Sequence, residues 1–131
     1  MTDLEKAREF FQKDVYAMET TGISLDEVGE RYAKCSLKVD SRHVNATGHV
    51  MGGAIFTLAD FTFAVATNFN QPLTVTTVSN ISFLGSPKGD TLISESKLIK
   101  DGKRSCFYEI TVKDNLDNPV AVVSACGTHL Q

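Results

Sequence analysis

Apolar residues follow two different periods along this chain, and the switches between them divide it into elements. Leu4, Ala7, Phe11, Val15 and Met18 recur at helical spacing until Gly22, which predicts an amphipathic N-terminal helix over residues 1–22, opened by a Thr2-x-x-Glu5 capping box. Ile23 to Val28 predicts a weaker strand, and Cys35, Leu37 and Val39 alternate with Lys34, Ser36 and Lys38 as in a one-sided strand. Ala54 to Thr67, AIFTLADFTFAVAT, is nearly unbroken apolar helix former and predicts a long central helix. Leu73 to Leu84, Thr91 to Lys100, Lys103 to Lys113 and Val120 to His129 then read as strands, with a tight hairpin at Asp101-Gly102 and a second turn over Asn115 to Pro119. One long apolar helix between strands, followed by consecutive antiparallel hairpins, predicts an α+β fold. An antiparallel β-sheet would wrap around the central helix in a single domain over residues 1–131.

The central helix carries one charge, Asp60, and begins at the glycine pair Gly52-Gly53. An ionised carboxylate withdrawn from water costs several kcal/mol or more without compensation, so an acid kept there suggests a use. A helix start leaves its first N–H groups unpaired, and glycines let another atom approach them closely. Upstream, His43 to Gly53 supplies no Ser, Thr or Asp at the capping position, so the start is left open. Asp60 lies about 12 Å along the axis from Gly52, so one small electrophile cannot touch both. Two antiparallel copies of the helix would solve this, each offering its start to the other's carboxylate. Gly53, Ala64 and Thr67 fall on the Asp60 face and would let a second helix pack closely. The pattern also fits a narrow solvated stripe in which Thr57 and Thr67 flank Asp60. The open helix start favours the chemical reading, and with it an obligate dimer.

Composition removes other classes. A length of 131 residues with 42% hydrophobic content suits one compact domain, and a formal net charge of −3 gives no general footprint for nucleic acid. The first residues lack the layout of a signal peptide, and the central helix is too short and interrupted for a bilayer, which points to a cytoplasmic protein. Cys35, Cys106 and Cys126 read as reduced strand residues, and no Cys/His spacing suits a metal. Cys126 and His129, three apart on one strand, would point to opposite faces and form no catalytic pair. His43, His49 and His129 read as loop or surface histidines, with His49 of interest for its neighbours. Gly48 to Gly53 lacks the Lys-Ser/Thr of a phosphate loop and the spacing of a dinucleotide fold, so no cofactor is implied.

From His43 onward the chain resembles the hotdog-fold acyl-CoA thioesterases, and within them the phenylacetate-pathway, PaaI-like branch. The likeness is strongest over HVNATGHVMGGAIFTLADFTFAVATN and VTTVSNISFLGSPKGDTL. The first stretch is similar to the signature N-x-x-G-x-x-H-G-G-x-x-x-x-L-x-D, whose Asn, Gly and Asp fall on Asn45, Gly52 and Asp60. The resemblance implies a helix wrapped by a sheet, subunits joined as a dimer or dimer of dimers, active sites at the subunit interface and an acyl-CoA substrate. It implies that Asp60 is the general base or nucleophile, that the Gly52 N–H polarises the thioester carbonyl, and that Asn45 positions the carbonyl or the water. Thr76, with Thr77 as the alternative, matches a hydroxyl that orients the water or the carboxylate. Met51 departs from the signature, which has histidine there, and cannot carry a proton.

Substrate contacts are expected from Met51 and Gly53 at the helix start, and from Gly85, Ser86 and Lys88 in one turn and Lys103 and Arg104 in another, where cations suit the phosphates of CoA. Two other classes remain open: a hotdog protein that binds acyl-CoA without turnover, and a hydratase or dehydratase. The Asp/His pairing of the latter is not apparent near Asp60.

Overall fold

The computed structural model describes residues 1–130. Thr2 caps α1 (Asp3–Phe11): its hydroxyl accepts from the Glu5 N–H and the Glu5 carboxylate accepts from the Thr2 N–H, the predicted reciprocal box. The helix does not continue to Gly22. It ends at Phe11, and Tyr16–Thr20 then winds as a wider π-helix in which the Thr21 N–H donates to the Tyr16 carbonyl at 2.9 Å. The break re-phases the chain. Ala7, Phe11 and Ala17 all reach the core, while Val15 and Tyr16, on either side of the restart, stand exposed.

Six strands form one antiparallel sheet: β1 (Ser24–Gly29), β2 (Tyr32–Lys38), β3 (Thr74–Phe83), β4 (Thr91–Asp101), β5 (Ser105–Asp114) and β6 (Pro119–His129). The order is β1-β2-β4-β5-β6-β3. β4, β5 and β6 are the consecutive hairpins expected. β3 is not, since it pairs with β6 at the far edge and the chain then crosses the sheet to β4. The crossing is anchored by Asp114, a fully buried carboxylate that accepts from the N–H groups of Lys88, Gly89, Leu116 and Asn118. Burial alone would raise the proton affinity of Asp114, but the Lys88, Asn118 and Gly89 N–H groups outweigh it and hold the carboxyl well below the usual range.

The central helix α2 (Gly52–Asn68) touches all six strands, so the sheet curls around it. Leu58, Ala59, Val65 and Ala66 are fully enclosed, and Phe63 meets Tyr108 of β5 edge to face at 5.4 Å. Thr62 and Thr67 are buried too, their hydroxyls turned onto the Leu58 and Phe63 carbonyls. Thr67 therefore faces the core and does not share the exposed face of Asp60. That face consists of Gly53, Thr57, Asp60 and Ala64. No helix among the described residues is long and apolar enough to cross a membrane.

Candidate active site

The approach to α2 is built on a buried histidine. His43 Nδ1 accepts from the Asp40 N–H at 3.0 Å, which leaves the proton on Nε2 to donate to the Thr21 carbonyl at 2.6 Å. His43 is thus a neutral core residue, not the loop or surface histidine the sequence predicts, and its carbonyl receives the Met51 N–H at 2.7 Å. Between them a tight loop is closed by the Val44–Val50 bridge and turned at Gly48, whose φ of 83° suits glycine. Asn45 organises this loop. Its Oδ1 accepts from the Thr47 N–H, the Thr47 hydroxyl and the His49 N–H. Because backbone N–H groups can only donate, the oxygen must face the loop, and the amide NH2 is the pole left for other work.

Met51 is the N-cap residue of α2, with no side-chain cap bond, so the helix opens unprotected as expected. A Cβ at Gly52 would stand 2.9 Å from the Phe83 ring, so β3 closes over the helix start and any larger residue would have to displace that ring. Gly52 shares a hollow of about 420 Å³ with Val50, Phe83, Leu84, Gly85 and Ser86. The fold therefore joins Gly52 to the Gly85-Ser86 turn. Met51 and Gly53 open instead onto a smaller hollow with Tyr16, Arg42, His43 and Thr57.

Asp60 opens onto a separate hollow of about 440 Å³, walled by Val15, Tyr16, Phe56, Phe61 and Ala64, with Asp14 beside it. Asp60 is exposed in the single chain, with these walls on its flanks. Burial raises its proton affinity above that of an ordinary aspartate, and the Asp14 charge adds to the effect. Neither Gly52 nor Asn45 lines this hollow. The separation predicted from helix length is thus present in the fold.

On β3 a bulge falls between Thr76 and Val78. Thr76 lies opposite Gly127 on the helix side, while Thr77 is the extra residue and donates its hydroxyl to the Cys126 carbonyl at 3.2 Å. That bond commits the Thr77 hydroxyl to the sheet. The cationic turns are not brought together: Lys88 precedes β4 and Lys103 and Arg104 follow it, roughly 33 Å apart at the rise of a strand. Asp14, Tyr16 and Phe83 line the candidate hollows without any signal in the sequence that marks them. Continuing the helical period through Val15 and Met18 made Asp14 an ordinary solvent-facing residue.

Residues 47–121 match the model of the thioesterase superfamily. This chain belongs to the thioesterase superfamily. A thioesterase-superfamily relative, the acyl-coenzyme A thioesterase PaaI of Escherichia coli K12, is 28% identical over 119 residues, which span 90% of this chain and 84% of that protein. The solved structure of E. coli PaaI, from the phenylacetic acid degradation operon, superposes with a TM-score of 0.89 at 23% identity and covers 98% of this chain and 94% of its own. A Streptococcus mutans UA159 protein solved bound to acetyl CoA has a TM-score of 0.78 at 26% identity, over 82% of this chain and 88% of its own. The fold is the hotdog arrangement of a PaaI-like thioesterase, as the resemblance predicted.

Proposed function

We propose that this protein hydrolyses acyl-CoA thioesters at sites made by two copies of the chain. The carrying observation is that Gly52 and Asp60 open onto different hollows of one helix, so a second chain must supply the missing half. Membership of the thioesterase superfamily and the likeness to PaaI and to a protein bound to acetyl CoA support the chemistry. Asp60 of one chain takes a proton from water, and the hydroxide oxygen attacks the thioester carbon. The Gly52 N–H of the other chain holds the developing oxyanion at the positive end of α2. The carbon–sulfur bond then breaks, and the proton on Asp60 passes to the CoA sulfur. Asn45 and Thr76 position the carbonyl and the water. The apolar walls beside Asp60 suit an uncharged, hydrophobic acyl group.

The test is a panel of acyl-CoAs in which thiol release and hydration are followed together. Asp60→Asn keeps the shape and removes the base, so thiol release should fall at least about a hundredfold. Near-normal turnover would overturn the assignment. Binding of acyl-CoA without thiol release by the unaltered protein would make it a binding protein, and hydration would make it a hydratase. Mixing Asp60→Asn with Asn45→Ala subunits should restore about a quarter of the activity, because half the dimers are mixed and each regains one of two sites. No recovery, with subunit exchange verified, would place both residues in one chain's site.

A further inference from the structure

The N-terminal segment does more than re-phase the chain for packing. The helix breaks where its period would continue, and the break turns residues 14–17 toward the exposed face of α2. Asp14 is fixed at this break from both sides. Its N–H donates to the Phe11 carbonyl and its carbonyl accepts from the Met18 N–H, both at 2.9 Å. A π-helical restart immediately after it presents Val15, Tyr16 and Ala17 to the same hollow. Asp14 and Asp60, both exposed in the single chain, therefore line one largely apolar hollow.

We propose that Asp14 is a positioning residue for the base, setting through its negative charge the pH at which Asp60 becomes able to accept the proton of the attacking water. This rests on the reading of Asp60 as the base of thioester hydrolysis. The physical warrant is that two like charges lining one hollow resist simultaneous ionisation. The other ionisable group lining the hollow is Tyr16, on the π-helix, and α2 contributes Asp60 alone. Arg42 and His43 lie in the adjoining hollow, where Arg42 is paired with Asp40 and His43 is held neutral by its two hydrogen bonds. Asp14 thus has no cation beside it in this hollow to cancel its charge. A base that holds its proton more firmly is the stronger proton acceptor once ionised, which suits general-base work near neutral pH.

The experiment compares pH profiles of kcat/KM for the unaltered dimer, Asp14→Asn and Asp14→Glu. The acid limb should move to lower pH in Asp14→Asn, with hydrolysis below the original limb rising several-fold relative to the parent, and Asp14→Glu should restore the original position. A purely structural role would lower activity at every pH and leave the limb in place. Carboxyl carbon NMR of aspartate-labelled protein follows the same ionisation without turnover, with the Asp60 signal identified by its loss in Asp60→Asn. Its midpoint should fall in Asp14→Asn. An unmoved limb and midpoint, while Asp60→Asn is inactive, would overturn the role of Asp14 alone. Activity retained in Asp60→Asn would overturn the underlying reading instead. Asp14→Ser serves as the neutral variant if Asp14→Asn fails to fold.

Discussion

At the scale of single residues, the proposed role of Asp60 sets activity against stability. The folded chain holds the Asp60 proton more tightly than the unfolded chain, because burial and then the Asp14 charge raise its affinity. The native state therefore loses stability as pH rises through the window above the ordinary aspartate value. Asp60→Asn removes that loss, so the variant should melt no lower than the parent near pH 7 while its hydrolysis collapses. Calorimetry beside the thiol assay checks both. Met51 carries a second expectation. It caps an open helix start with an exposed side chain and no hydrogen bond, so Met51→His introduces a donor that titrates near neutrality without disturbing packing. If the Gly52 N–H and Asp60 suffice for the chemistry, neither Met51→His nor His49→Ala should change kcat by more than about twofold, against the about tenfold losses that typify a removed hydrogen-bonding group. A large loss in His49→Ala at unchanged stability would show that His49 participates.

At the scale of elements, the start of β3 is held unusually firmly. Asn68, at the end of α2, exchanges two hydrogen bonds with the Thr74 backbone, and the Thr74 hydroxyl meets His129 Nδ1 at 2.7 Å. His129 Nε2 in turn meets Asp101, which pairs with Arg31 of the β1–β2 turn. These contacts fix the strand two residues before Thr76. Asn68→Ala should lower stability by about 1 kcal/mol and reduce kcat more than it changes KM. Hydrogen exchange should show the loss of protection concentrated at the start of β3. Asp114 gives a test at the other end of the sheet. Its depressed proton affinity contributes stability that is present above about pH 4 and lost as pH falls toward the folded value. Asp114→Asn should therefore weaken the fold most near pH 7, with the difference narrowing at about pH 3 in urea titrations. These cases also mark what the sequence could disclose. The central helix and every strand were legible because their apolar periods are local. The β3–β6 pairing was not, because it joins residues far apart in the chain through a crossing that depends on Asp114. Cys126 and His129 were correctly separated, since the register puts Cys126 opposite Val78 and His129 opposite Thr74, on the other face. Gly52 and Asp60 could be singled out from spacing and the missing cap, and Asn45 only through the family signature, whereas Asp14 depended on a helix break that no glycine or proline announces.

At the scale of the molecule, the proposed two-chain site requires a surface on which a second copy can pack. β3 is an edge strand with Val75, Val78 and Phe83 exposed, and a natural edge of this kind is normally blunted or paired. On α2, Gly53, Thr57, Asp60 and Ala64 form a stripe of mostly small residues that suits close helix packing. Val78→Lys should shift the protein toward monomer in sedimentation velocity and remove hydrolysis in parallel, with the circular dichroism of the chain preserved. An active monomer would contradict a shared site. The two separate hollows along α2 finally bear on how such an enzyme would behave in a cell. If each site needs both copies, newly made chains are inert until they meet, and turnover per chain depends on concentration. Well below the dimer dissociation constant, total rate would rise as the square of the amount of protein, so a modest change in synthesis would act as a steep switch on flux.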